Sequence, residues 1–166
     1  GIPPGSLREL QHLYRAEVVK DVEEDIFAVY AAFLTILRKA SWIHGVSSIM
    51  SPVHADAIKE VVMGGTSVEL VVSRELAHRL AAEPYSTTLE SLKGYANFRI
   101  YVSSSPVRLG MTVTDGFLSL GLYRRGTDTY DTARDLVSTD TAAVTWGEQL
   151  FQQYRADSEI LRISPK

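Results

Sequence analysis

The stretch from Val107 to Tyr123 constrains the fold of this chain more than any other. Two runs of alternating apolar and small or polar residues flank the dipeptide Asp115-Gly116. An Asp-Gly pair between two such runs predicts a β-hairpin with a two-residue turn of type I′, in which both central residues have positive φ. A two-residue turn also fixes which residues face each other across the strands.

That register predicts one apolar face on the hairpin, because side chains alternate between the two sides of a strand. The apolar face should lie on the core. Its cross-strand pairs are Val113 with Leu118, Met111 with Leu120, and Leu109 with Leu122.

The opposite face has a floor of two facing glycines bordered by hydroxyl groups. Its pairs are Thr112 with Ser119, Gly110 with Gly121, and Arg108 with Tyr123. Glycine inside a strand often marks the close approach of a ligand or of another part of the backbone. The residues leave two interpretations open: a ligand pocket, or tight packing of a helix through Gly147.

Composition limits the classes of function. The chain has 166 residues, a net charge of −3 and no cysteine. It contains no run of lysine and arginine, so strong binding to nucleic acid by this chain alone is not expected. It also has no long uninterrupted apolar stretch and no thiolate metal site, and we expect a cytoplasmic protein without a membrane span.

The pattern along the chain predicts an α/β fold. Residues 1–40 should form two N-terminal helices, Ser6 to Val18 and Val22 to Ala40, which serve dimerisation or link to another domain. Residues 41–166 should form the α/β sensor domain. Its predicted elements alternate: strands Trp42–Ser47, Val68–Val72 and Phe98–Val102, with helices Val53–Met63, Arg74–Ala82 and Thr87–Tyr95. Such alternation favours parallel pairing, so we expect a mixed, mainly parallel sheet with flanking helices.

The C-terminal part completes this predicted fold. The antiparallel hairpin follows the parallel strands, and a polar loop containing Tyr130-Asp131 comes next. A long closing helix should begin at Asp140 or Thr139 and run to about Ile160.

Polar residues follow all three predicted parallel strands, as Ser47-Ser48, Ser73-Arg74 and Ser103 to Ser105. Open α/β sheets bind ligands beyond these strand ends. A crevice lined by the hydroxyls, Arg74 and the nearby His54 is therefore one interpretation. The other is that these loops are simply polar.

Catalytic motifs are missing. The sequence has no glycine-rich phosphate loop and no Gly-x-Ser-x-Gly elbow. Its histidines, at positions 12, 44, 54 and 78, lack the spacing of a zinc site. We expect neither a metal, nor a cofactor, nor enzymatic activity.

Several short motifs, in one order, carry a resemblance to a known family. They are Ile2-Pro3-Pro4, Val113-Thr114-Asp115, Leu118 to Leu122, Tyr130-Asp131, and Trp146 to Phe151 followed by Tyr154 and Ser158. Together they resemble the middle domain of archaeal methanogenesis regulatory proteins of the FilR type. The resemblance implies a transcription regulator whose DNA-reading winged helix lies in a part absent from this chain.

A more distant resemblance is to the phospholipase D half-domain, whose signature is His-x-Lys-x4-Asp. With Asp115 at the aspartate position, Arg108 stands at the histidine and Gly110 at the lysine. The resemblance therefore implies a fold of this type without its nucleophile, because arginine cannot replace an imidazole in that role.

These observations predict an effector-binding and dimerisation domain of an archaeal regulator, acting as a homodimer. The alternatives are an enzyme acting on a phosphoester or other small metabolite, and a protein–protein assembly module without a ligand. Two arginines, a histidine and several hydroxyls favour an anionic effector. Aromatic walls suit an apolar portion beside the anionic head. The predicted ligand-binding residues are Arg108, Gly110, Thr112, Ser119, Gly121, Tyr123, Ser47, Ser48, His54, Arg74, Tyr130 and Trp146.

Overall fold

One mixed β-sheet organises the chain in the computed structural model, which describes residues 2–20, 28–124 and 126–162. The strands of this described part are β1 Glu17–Lys20, β2 Trp42–Ser47, β3 Ser67–Val72, β4 Phe98–Ser103, β5 Leu109–Thr114, β6 Leu118–Leu122, β7 Arg134–Ser138 and β8 Ser158–Ile160. Their order across the sheet is β1-β7-β6-β5-β2-β3-β4-β8. The α/β class and the mixed sheet are confirmed.

The parallel part of the sheet is smaller than expected. Among the described strands, β2–β3 and β3–β4 pair in parallel, and the other five ladders are antiparallel. The predicted crossover strands are all present. The difference comes from β1, β7 and β8, three short antiparallel strands that the sequence pattern did not reveal.

The hairpin register is confirmed pair by pair from Leu109–Leu122 to Val113–Leu118. The predicted type I′ turn is wrong, because the positive φ values of the described residues occur at Gly65 and Gly126 and not in the turn. The turn is instead stabilised by a residue outside the hairpin. The Asp115 carboxylate accepts hydrogen bonds from the backbone N–H and the hydroxyl of Ser41, at 3.1 and 2.9 Å, just before β2.

Helices cover both faces of the sheet. The described helices are α1 Pro4–Leu7, α2 Ala28–Lys39, α3 Pro52–Met63, α4 Arg74–Leu80, α5 Ser86–Leu92 and α6 Thr141–Ala156, with a 3₁₀ turn at Leu10–Leu13. The first core cluster packs α6 against β5 and β6, and the second packs α2 to α5 against β2, β3 and β4. No helix within the described ranges is long and apolar enough to cross a membrane.

The predicted helix from Ser6 to Val18 is wrong. Helix α1 ends at Leu7, and residues 17–20 form the edge strand β1, which pairs with β7. Ser6 is not a helix cap but a buried anchor, whose carbonyl accepts a 3.0 Å hydrogen bond from Trp146 Nε1. The helix predicted from Val22 to Ala40 is confirmed from Ala28 to Lys39, and its first residues lie outside the described ranges.

The proposed division at residue 40 stays a prediction. In the described structure β1 belongs to the same sheet as the rest of the chain, and α2 contacts α3. The closing helix begins as predicted, with the Asp140 side chain accepting from the Ala142 N–H. It ends at Ala156, four residues early, because residues 158–160 extend and pair with β4.

Candidate ligand-binding cavity

A cavity of about 570 Å³ opens on the face of the sheet opposite α6. Strands β2, β3, β5, β6 and β7 form its floor, helices α2 and α3 form one wall, and residues 130–132 form another. Its volume lies in the range of small-molecule sites in proteins.

Small side chains account for the open floor. Gly45, Gly110, Thr112 and Ser119 all point to this face of the strands. Helices α3 to α5 cover the neighbouring strands β3 and β4 instead, where Val68, Leu70 and Val72 point towards them. The cavity therefore lies above the small residues of β2, β5 and β6, and Leu70 and Val72 of β3 border it.

Tyr130 occupies the space above the facing glycines. A Cβ atom at Gly110 would lie 2.5 Å from the Tyr130 hydroxyl oxygen, and one at Gly121 would overlap it. Glycine is thus needed at both positions because the Tyr130 side chain approaches the strands so closely. The alternative of packing through Gly147 is wrong, because a Cβ there would meet Leu118 and Val113 on the opposite face.

Asp135, on β7, is the acidic group of the floor. Its Oδ2 atom accepts a short hydrogen bond from the Ser119 hydroxyl. Burial raises the pKa of Asp135 from 3.8 to about 6. Among the described residues no arginine, lysine or histidine forms an ion pair with it. Burial, with the nearby charge of Asp135, also raises the pKa of Tyr130, so its hydroxyl stays protonated.

Two hydroxyl groups of the cavity lining have unused hydrogen-bonding capacity. Neither the Tyr130 hydroxyl nor the Thr112 hydroxyl has a hydrogen-bond partner among the described residues, and both residues line the cavity. No fully buried side-chain oxygen or nitrogen of the described residues lacks a partner, so both hydroxyls are open to the cavity and can bond a ligand or water that enters it.

The wall opposite the floor is largely aromatic. The His54 ring lies 5.1 Å from the ring of Tyr30 and 4.8 Å from that of Phe33. Burial lowers the pKa of His54, which therefore stays neutral near pH 7. Its Nδ1 atom lies 2.5 Å from the Ser51 hydroxyl oxygen, which also caps α3 by accepting from the His54 backbone N–H. Ser51 therefore caps α3, and its contact with Nδ1 fixes the His54 ring in the wall of the cavity.

The arginines of the lining are exposed and already have partners. Arg79 donates a 3.1 Å hydrogen bond to the Ser48 carbonyl, and Arg134 lies 3.9 Å from Asp131. Asp131 also pairs with Arg124 at 3.4 Å. These arginines border the cavity, and none of them pairs with Asp135 on its floor.

The structure brings half of the predicted ligand-binding residues together. The residues that line the cavity are Ser47, His54, Gly110, Thr112, Ser119 and Tyr130.

Four further predicted residues lie next to the cavity without lining it. Gly121 is covered by Tyr130. The Ser48 and Tyr123 hydroxyl oxygens lie 2.8 Å apart, and the Tyr123 ring packs edge-on against Tyr130. The Arg108 guanidinium lies over the Tyr123 ring and pairs with Asp128 at 2.7 Å.

Trp146 and Arg74 are not part of the cavity. Trp146 lies on α6, which packs against the other face of the sheet, and its side chain is buried there. Arg74 is the exposed first residue of α4. The predicted anionic preference rested on two arginines, a histidine and several hydroxyls. Both arginines, Arg108 and Arg74, lie outside the lining, while His54 lies in it.

The sequence interpretation missed several lining residues, among them those of α2 and β7. Tyr30 and Phe33 lie on α2, which was predicted but not assigned to the site, while Arg134 and Asp135 lie on β7, which was not predicted. One signal in the sequence could have found Asp135. Thr112 and Ser119 place two hydroxyls on the glycine face, and such hydroxyls indicate a polar partner nearby.

The positions that correspond to the phospholipase D signature hold no nucleophile. Arg108 is paired with Asp128, Gly110 lies beneath Tyr130, and Asp115 holds Ser41. Within the described part of the chain no group of three or more histidine, aspartate or glutamate side chains is arranged to hold a metal ion.

Comparisons with known proteins agree on a family and a fold. The model of the "Methanogenesis regulatory protein FilR1, middle domain" matches residues 26–157. Methanogenesis regulatory protein FilR1 of Methanothrix harundinacea is 26% identical over 163 residues, which are 96% of this chain and 36% of that protein. The chain thus spans about a third of the relative it matches.

Solved structures show the same fold at low identity. The archaeal chromatin protein TrmBL2, described as having a novel mode of DNA binding, superposes with a TM-score of 0.68 at 16% identity, over 89% of this chain and 53% of that one. The phospholipase D family member Nuc of Salmonella typhimurium gives a TM-score of 0.66 at 12% identity, over 89% and 97% of the two chains. The phospholipase D-like architecture is therefore confirmed.

Proposed function

Since the chain belongs to the family of the FilR1 middle domain, a regulatory-protein domain, we propose that it is the effector-binding and dimerisation module of an archaeal transcription regulator. In this proposal it acts in the cytoplasm and binds a small molecule. It contacts DNA only through another domain.

The observation that supports this function best is the cavity. It combines a volume of about 570 Å³ with an aromatic wall and a floor on which the Tyr130 and Thr112 hydroxyls have no partner among the described residues. Small-molecule sites typically have this composition, mostly apolar with a few convergent polar groups. A surface that serves assembly alone has no need of an open volume.

The test is a titration with 4-phenylbutanol, a neutral probe with an aromatic body and one hydroxyl. We expect amide NMR shifts in the residues of α2, β5 and β7 that line the cavity. The variant Gly110→Val should weaken binding about tenfold, while overpacking lowers the free energy of unfolding by about 1–2 kcal/mol. Gly94→Val is the matched control, because a Cβ at Gly94 meets nothing within 4 Å.

Two results would contradict the cavity proposal. One is an absence of shifts at saturating probe. The other is equal weakening by Gly94→Val and Gly110→Val, which would place the probe elsewhere.

Dimerisation is proposed on symmetry and on exposed apolar surface. Regulators that read two-fold symmetric sites bind as dimers. The N-terminal segment exposes Leu7, Leu10, Tyr14 and Val18, of which Tyr14 is 74% exposed. Sedimentation of the chain should show a dimer at tens of micromolar, about the range of moderate subunit contacts, and Tyr14→Ser should weaken it. A monomer throughout that range would contradict this part.

The competing proposal is an enzyme, because solved structures with this fold include a phospholipase D family member. We favour catalytic silence, since Arg108 and Gly110 stand where that chemistry needs a nucleophile and a cation. Incubation with bis-p-nitrophenyl phosphate should release no nitrophenol above the buffer rate. Turnover that disappears in Gly110→Val would instead favour the enzyme.

A further inference from the structure

Among the described residues of the cavity lining, Asp135 is the carboxylate without a charged partner. Arg134 lies beside Asp131, Asp131 also pairs with Arg124, and Arg79 donates to a carbonyl. Asp135 accepts only the hydroxyl of Ser119 within the described part of the chain. A carboxylate withdrawn from water in this way is stabilised by any cation that reaches it.

The geometry directs the Asp135 carboxylate and the Tyr130 hydroxyl towards one place. A Cβ atom at Gly121 would lie 2.7 Å from Asp135 Oδ1 and would overlap the Tyr130 hydroxyl oxygen, so both oxygens converge over this glycine. Thr112 is the cross-strand partner of Ser119, the residue that holds Asp135 Oδ2. The result is a cluster of oxygen acceptors at the edge of an apolar cavity.

We propose that the cavity takes a ligand with an apolar body and a protonated amine head, which donates hydrogen bonds to Asp135 Oδ1 and the Tyr130 and Thr112 hydroxyl oxygens. An ammonium group has three donors and no acceptor, which suits three oxygens. Its charge supplies the ion pair that Asp135 lacks, and charge-assisted hydrogen bonds are the stronger kind. The apolar body lies against Phe33, Met50 and Leu70, which line the same volume.

This inference rests on the proposed function, since it names the chemistry of the molecule that the cavity binds. It also reverses the charge that the sequence favoured. An anionic head would have to bind at the exposed Arg79 and Arg134 and would face the carboxylate of Asp135 on the floor.

Three probes with one apolar body separate these possibilities: 4-phenylbutylamine, 4-phenylbutanol and 4-phenylbutanoate. Each is titrated into the unmodified chain, with NMR shifts and calorimetry as readouts. We expect the amine to bind at least about tenfold more tightly than the alcohol, the gain typical of a charge-assisted contact, and the carboxylate to bind most weakly. Asp135→Asn should remove the advantage of the amine, while Asp128→Asn, the same charge change at an exposed side chain, should keep it.

The outcomes distinguish this inference from the proposed function. Tightest binding of the carboxylate, or equal binding of amine and alcohol, overturns the amine head and leaves the cavity as a binding site. Retention of the advantage in Asp135→Asn overturns it as well. Binding of none of the three probes overturns the proposed function itself. The comparison on the unmodified chain decides the head group even if Asp135→Asn fails to fold.

Discussion

The two faces of the β5–β6 hairpin come from the same strands and the same register, and their surroundings differ completely. The leucine face, made of Leu109, Met111, Val113, Leu118 and Leu120, is sealed by α6, and each of these residues is at most 3% exposed. The glycine face, made of Gly110, Thr112, Ser119 and Gly121, borders an open cavity. The difference teaches that the size of alternate side chains decides which side of one hairpin becomes core and which becomes a site.

The largest expected effect comes from truncation on the sealed face. Leu118 is 1% exposed and packs where Gly147 brings α6 close. Leu118→Ala should lower the free energy of unfolding by about 3 kcal/mol, because it leaves a cavity that the helix cannot fill. Thr112→Val, a change of similar shape on the glycine face, should shift it by less than about 0.5 kcal/mol. Urea unfolding measures both, and equal losses would contradict the contrast between the faces.

A smaller effect should follow pH through Asp135. Its pKa is about 6 in the folded chain against 3.8 for the free side chain, so the folded state holds the proton more tightly. The resulting stabilisation is complete below about pH 4 and is lost as the pH rises through about 6. Allowing for solvent screening, we expect a loss on the order of 1 kcal/mol.

This contribution is isolated by difference, because other carboxyls titrate in the same range. The free energy of unfolding of the unmodified chain, minus that of Asp135→Asn, should fall between about pH 4 and pH 7. A rising difference for Asp135 would mean that an unrecognised cation lowers its pKa.

The smallest effect is expected for the Tyr130 hydroxyl. It has no hydrogen-bond partner among the described residues, so Tyr130→Phe should change the free energy of unfolding by less than about 0.5 kcal/mol. Trp146→Phe on the sealed side removes the buried hydrogen bond to the Ser6 carbonyl and should cost about 2 kcal/mol or more. A large loss in Tyr130→Phe would show that its hydroxyl is structurally engaged.

Local pattern was sufficient to predict the hairpin register and the three crossover strands, because alternation and turn length fix them within a few residues. It was not sufficient for the turn type. Asp115 is held by Ser41, a residue 74 positions away, and no local signal reports such a contact. The strands β1, β7 and β8 are short and mix apolar with charged residues. They are extended because each pairs with a neighbouring strand.

The same limit applies to the site. The glycine face was predicted from register alone, and Gly110, Thr112 and Ser119 of that face line the cavity. Ser47, His54 and Tyr130, which were predicted from strand ends and a loop, line it as well. Asp135 was missed because its strand was missed, although Ser119 required a polar partner. Trp146 was placed on the wrong side, because a helical pattern does not tell which face of a sheet the helix will cover.

The close approach of Tyr130 to Gly110 and Gly121 has an evolutionary consequence. Any side chain at either glycine collides with the tyrosine ring or its hydroxyl, so the first mutation at one of the three positions is penalised unless another has already changed. Their histories should therefore be linked. Lineages that exchange the tyrosine for a small residue become free to fill the glycines, and with them to reshape the neighbouring cavity and the molecule it accepts.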